Sequence, residues 1–180
     1  MTQEDADFWR EPPPSPYVWG GQCLAVSAAT LALTAAALRS VGRREAGCLW
    51  LGPTDDEGNA RAAAVIMPKQ LNRAGNYAVS AGAMLEVANV GRPRGWTVVG
   101  AIHSHPGRFV EHSRFDDEMT PSRRAVSIVF PCYGNWQGPW PRSLGVHSYS
   151  GDYWHLLTDA EAANRVKVDD EAQALWVDLR

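Results

Sequence analysis

The sequence has no apolar run long enough to cross a bilayer. The longest, "CLAVSAATLALTAAAL" from Cys23 to Leu38, is interrupted by Ser27, Thr30 and Thr34 and falls short of the roughly 20 residues that a spanning helix needs. The residues before it include Glu4, Asp5, Asp7 and Glu11, where a secretory signal would be basic. Cysteine is also scarce. Cys23, Cys48 and Cys132 form an odd set with no Cys-x-x-Cys spacing, which excludes a disulfide framework and fits reduced thiols in a cytosolic protein. Basic clusters are missing as well, since the seventeen Lys and Arg are scattered and the net charge is −3. Nucleic acid is therefore not an expected partner, nor is a membrane. No internal repeat and no low-complexity tract is present.

What is there suffices for one core. At 180 residues and 45% hydrophobic content the expectation is a single α/β domain from residue 18 to residue 180, behind an acidic, proline-rich lead-in over residues 1–17. The "PPPSP" cluster in that lead-in suits a stiff spacer. A buried helix is expected from Cys23 to Arg39, closed by "RSVGRR". Two strands, Ala46–Gly52 and Ala60–Pro68, flank the turn-rich "PTDDEGN" and read as a hairpin. After the polar "KQLNRAGNY", the spacing of Met84, Leu85, Val87 and Ala88 predicts an amphipathic helix that stops at Gly91 and Pro93. "WTVVGAIHSH" reads as a strand buried on both faces. Further strands are expected at Ala125–Pro131, Ser143–Ser150 and Tyr153–Leu157. The sum is a mixed sheet flanked by helices.

The chemistry concentrates in "GAIHSHPGRFVEHSRFDD", which holds three of the five histidines. In a strand, residues two apart face the same way, so His103 and His105 project together and Ser104 faces the other side. Asp116 follows at the first turn of a short helix "SRFDDEM", and Ser113 lies three residues earlier on the same helical face. Two imidazoles and a carboxylate leave a fourth tetrahedral position open, as catalytic rather than structural zinc requires. Ser113 and Asp116 also form a Ser-x-x-Asp capping pattern, which needs no metal. His112 reads as a surface or supporting residue, Asp117 and Glu118 as first-turn charges, and His147 and His155 as structural.

Other metal motifs are excluded residue by residue. No His-Glu-x-x-His occurs. "PCYGN" begins like the Pro-Cys-x-x-Cys of zinc deaminases, but Asn135 stands in the second cysteine's place and no His-x-Glu precedes it. A cysteine nucleophile at Cys48 or Cys132 is left open by composition, without a surrounding signature.

The string "HSHPGRFVEHSRFD" resembles the JAMM metalloprotease motif of the JAB/MPN family, His-x-His-Pro-x6-Ser-x-x-Asp, at every defined position. "EAGCLWLG", from Glu45 to Gly52, is similar to the family's glutamate-bearing strand, with Cys48 where a second glycine is often found. The resemblance covers roughly Cys23 to Phe130 and implies an MPN/JAB-like fold. It implies one zinc per chain on His103, His105 and Asp116, with a bound water. Glu45 would act as general base and then general acid, and Ser113 as an oxyanion donor. It further implies a peptidase or isopeptidase that cuts after the C-terminal tail of a ubiquitin-like protein, in deconjugation or precursor processing. The chain is similar to stand-alone bacterial members of the family, including those that accompany ubiquitin-like conjugation genes in antiphage operons. A peptidase trimming a sulfur-carrier protein in cofactor biosynthesis, and a non-catalytic MPN scaffold, are the alternatives. Pro68–Tyr77 falls where the family often carries a substrate-contacting insertion, or is a plain connecting loop. Trp136 and Trp140 would either wall the substrate groove or pack their loop onto the core.

Overall fold

The computed structural model describes residues 10–13 and 20–180. Most of the expected lead-in, and Pro14, Ser15 and Pro16 of its proline cluster, lie outside the described residues. Arg10 is described: its side chain is buried, with Nε donating to Asp117 Oδ2 at 2.8 Å.

The chain does not enter as a helix. Leu24–Ser27 form a strand, β1, and the helix α1 spans Ala28–Arg39. Ser27 divides the two, because its hydroxyl accepts from Thr30 N at 3.1 Å and so satisfies one of the first-turn donors. β1 runs parallel to β3 (Ala60–Arg61) on one side and to β11 (Val166–Asp169) on the other.

The main sheet is built on β2 (Gly47–Gly52) and β7 (Thr97–Ser104), which pair antiparallel. The expected hairpin is present, with β4 (Ala64–Met67) antiparallel to β2. The predicted run 60–68 is nevertheless split, since Ala60 and Arg61 turn away to pair with β1. β8 (Val126–Phe130) lies parallel to β7, followed by β9 (Gly145–Ser150) and β10 (Tyr153–Leu156). With β12 (Leu175–Asp178) beside β4, the order is β10-β9-β8-β7-β2-β4-β12. β5 (Gln70–Asn72) and β6 (Tyr77–Val79) form a separate small hairpin from the segment predicted as polar.

Helices cover both faces, so β2 and β8 are buried throughout. On one face Cys48, Trp50 and Ile102 meet Leu31, Ala35 and Leu38 of α1, and Trp50 Nε1 donates to Thr34 Oγ1 at 3.0 Å. On the other, Leu49, Leu51 and Ala101 pack with Val87, Met84 and Val90 of α2 (Ala81–Gly91), which is capped by Ser80 and ends where predicted. β7 carries one extra residue opposite Trp50 and Leu51, a bulge at Val99. Two further helices are short: α3 (Arg114–Met119), as expected from "SRFDDEM", and α4 (Asp159–Arg165).

Candidate metal centre

His103 and His105 leave the end of β7 on the face that carries Ala101, and α3 brings Asp116 over them. Ser104 faces the opposite way, as the strand period requires, and its Oγ accepts from Ala46 N at 3.3 Å. All three candidate ligands are buried. His103 Nε2 and His105 Nε2 are 3.1 Å apart, while Asp116 Oδ1 lies 3.3 Å from the first and Oδ2 3.3 Å from the second. Zinc bonds of about 2.0–2.1 Å at the tetrahedral angle would separate neighbouring donors by about 3.3 Å. The two imidazole nitrogens are thus about as far apart as two ligands of one zinc, and the Asp116 carboxylate reaches each of them through a different oxygen, one donor atom from each residue lying within 4.8 Å of the others. His105 Nδ1 faces the Phe109 carbonyl at 3.0 Å, which assigns the proton to Nδ1 and leaves the Nε2 lone pair for an ion.

Charge in the cluster is strongly coupled. Burial would raise Asp116, but His103 and His105 outweigh it and hold its carboxyl far below the usual range. Burial would likewise lower His105, yet the hydrogen bond and charge of Asp116 leave its pKa above the ordinary imidazole value. Metal uptake competes with a proton for these ligand atoms.

The two readings of Ser113 and Asp116 hold together. Ser113 caps α3: its N and Oγ both donate to Asp116 Oδ2 at 2.7 Å, and its Oγ accepts from Asp116 N at 3.2 Å. The capping box fixes the carboxylate in the orientation a ligand needs.

Glu45 precedes β2 and is buried, 5% exposed. Desolvation pushes its pKa up to about 7, against the charge of His105 and with that of Asp116. Its backbone is held by the β5–β6 hairpin, with Glu45 N donating to Arg73 O at 2.7 Å and Asn72 Nδ2 to Glu45 O at 2.8 Å. Gln70 brackets Gly47 through both its amide atoms. A Cβ on Gly47 would stand 2.3 Å from the Tyr77 ring, which lies against His103 with ring centroids 5.7 Å apart. Only glycine leaves room for the Tyr77 ring in that position. Pro68–Tyr77 is thus the frame of Glu45. Cys48 faces away into the core, its thiol pushed up to about 12 by burial, which removes it as a nucleophile.

His112 is not at the surface. It is 1% exposed, with Nδ1 2.9 Å from Asp117 Oδ1, Nε2 2.8 Å from Ser127 Oγ, and its ring stacked on His147 at 3.9 Å. Asp117, expected as a first-turn charge, links His112 to Arg10. The Ser127–His112–Asp117 row has the order of a hydrolase triad, but Ser127 has no exposed surface, so no substrate reaches it. It instead pins the β7–α3 connection beside Asp116. Sequence spacing offered no signal for this, because its partners come from four separate segments. The Trp loop packs inward, with Trp136 edge-on to Phe130 at 5.8 Å and Trp140 against the same core.

Burial drives the pKa of both His112 and His147 well below the usual value, helped by neighbouring positive charge. The unfolded chain therefore binds more protons below about pH 6.5, and this contribution to stability is lost as pH falls. Replacing His147 by Phe should make the pH dependence of unfolding between pH 6.5 and 5.5 flatter than the parent's by up to about 1.4 kcal/mol per pH unit. Urea titrations across that range measure it, and parallel curves for parent and variant would contradict the neutral buried state.

With the geometry in hand, comparison with known proteins agrees. The family described as prokaryotic homologs of the JAB domain matches residues 27–140, and the chain belongs to that family. Among solved structures, protein DSY2949 from Desulfitobacterium hafniense is similar over 82% of this chain and 94% of its own, with 15% identity and a TM-score of 0.64. A protein from Salinibacter ruber is similar over 74% of this chain and 88% of its own, with 19% identity and a TM-score of 0.53. Both likenesses concern the fold. No curated protein matches the chain. The JAB-like mixed α/β fold is as expected, the buried His103–His105–Asp116 cluster could bind a metal ion, and no helix among the described residues is long and apolar enough to cross a membrane.

Proposed function

We propose that this chain is a zinc-dependent peptidase or isopeptidase that cleaves after the C-terminal tail of a ubiquitin-like protein. The observation that carries the reading is the buried cluster of His103, His105 and Asp116, one donor atom from each within 4.8 Å of the others, with a buried carboxyl of raised pKa, Glu45, electrostatically coupled to it. When bound, zinc supplies Lewis acidity that brings water's pKa to near about 7 and polarises the scissile carbonyl. The chain's residues do the rest. Glu45, poised near neutrality, accepts the proton of the attacking water and returns it to the leaving amine. His105 is held in one tautomer by the Phe109 carbonyl, and Asp116 in one orientation by Ser113. The Ser113 hydroxyl has a single hydrogen and spends it on Asp116 Oδ2, so service as an oxyanion donor requires that bond to be released.

A mostly apolar cavity of about 50 Å³ is lined in part by Gly47, two residues along the chain from Glu45, with Tyr77, Met119 and Pro121, and it suits small terminal residues of a substrate. A folded ubiquitin-like protein fused to a reporter through its C-terminal glycine should be cut after that glycine, faster than a peptide carrying only the tail, because the folded body helps orient the bond. A bulky residue in place of the glycine should block cleavage. Equal rates on the free peptide would mean a general peptidase, and zinc-loaded chain without any cleavage would favour the scaffold reading.

A further inference from the structure

The molecule has a second concave site, at the other end of the sheet. A cleft of about 910 Å³ is lined by Thr97, Val98 and Val99 at the start of β7 and by Ser148, Tyr149 and Ser150 at the end of β9. From Thr97 to His103 the strand climbs about 20 Å, so the cleft is separate from the metal centre. Its volume lies within the roughly 300–1,000 Å³ of small-molecule sites.

One wall holds an arginine that the protein leaves incompletely partnered. Arg165, in the last turn of α4, is 8% exposed. Its Nη1 donates to Gln22 O at 3.0 Å, but its Nε is buried with no hydrogen-bond partner, and no carboxylate pairs with it among the described residues. The helix C-terminus favours a cation at this position, but it leaves the Nε–H unused. A buried guanidinium without a counter-ion is costly, and an oxyanion that reaches it offsets that cost with charge-assisted bonds. Two further cations line the same cleft, Arg124 and Arg123, the latter held with its guanidinium 4.8 Å from the Tyr149 ring centroid. Ser122, Ser148 and Ser150 add hydroxyl donors.

The facing wall limits the charge of the occupant. It is the β2–β3 loop, where Asp55, Asp56 and Glu57 stand in a row. Asp55 is occupied locally, accepting from Asn59 N at 2.7 Å and Asn59 Nδ2 at 3.1 Å, whereas Asp56 and Glu57 are exposed. They would repel a polyanion along its length but tolerate one anionic group docked at the arginines. We infer that this cleft is a binding site for a small molecule bearing a single carboxylate or phosphate group, anchored on Arg165 and Arg123.

The test uses the full chain, ¹⁵N-labelled, titrated separately with inorganic phosphate and acetate to distinguish the two sources of the oxyanion. The Arg165 Nε–H resonance should move saturably with at least one of them as its donor gains a partner, together with the amides of Ser122, Ser148 and Tyr149. Arg165→Gln should weaken binding about tenfold or more, the cost of a lost charge-assisted bond. Because a core change can harm folding, the exposed Arg123→Ala is the second variant, expected to weaken binding several-fold with zinc content unchanged. An Nε–H resonance unmoved by either anion at tens of millimolar would overturn the inference. So would full affinity in both variants, or tripolyphosphate binding more tightly than phosphate.

Discussion

Glu45→Gln is expected to keep the fold and the zinc of the parent while turnover falls by about 10²- to 10⁴-fold, the usual worth of general acid–base catalysis. The amide is nearly isosteric, and the residue's main-chain bonds to Arg73 and Asn72 do not depend on the side chain. What disappears is a carboxyl whose burial has pushed its pKa up to about 7, where it can both take and give a proton. Reporter-fusion kinetics read the loss, with metal analysis and a melting curve on the same sample as controls. Cleavage at the parental rate would show that the proton is handled elsewhere.

The second large effect concerns the metal. Purified parent should carry about one zinc per chain, and the His103→Ala, His105→Ala double variant should carry close to none even after zinc is added back. The reason is geometric, since two of the three residues of a single cluster are removed together and Asp116 remains alone. The variant's fold should survive, because the first turn of α3 is closed by Ser113 and Asp116 and not by the histidines. Elemental analysis decides it. Unchanged zinc in the variant would place the ion elsewhere.

Both the mixed sheet flanked by helices and the His103–His105–Asp116 cluster were legible in the sequence. His103 and His105 were readable because a strand's period of two is strict, and Ser113–Asp116 because a capping box has a fixed spacing. Glu45 required family resemblance, since nothing local announces a glutamate that precedes a strand; its burial comes from a hairpin twenty-five residues later. The helix drawn from Cys23 failed at Ser27, where a cap signal lay inside an Ala-rich run and the apolar Leu24 and Val26 were claimed by β11, far off in sequence. α4 was passed over although Thr158 and Glu161 form a capping box, because its seven residues are too short for periodicity to show. β12 and β11 are short strands whose partners lie about 110 and 140 residues earlier, a distance that no window of sequence spans. Of the two readings of His112, the supporting one holds and the surface one fails for a similar reason: its environment is made by Asp117, Ser127 and His147 together.

The bulge at Val99 sets the phase of β7. In a regular strand Val98 and Ala101 would lie on opposite sides of the sheet, yet both pack on the α2 face because one residue is counted out between them. Downstream of it the alternation is regular, and so His103 and His105 emerge toward Asp116 while Ser104 takes the α1 side. The strand thus works as an index, with the count of residues after the bulge deciding which side chains arrive at its end. Deleting Val99 would restore regular pairing and leave the motif on its present face, whereas losing a residue between Gly100 and Ile102 would leave the motif intact as text and turn it to the wrong face of the protein.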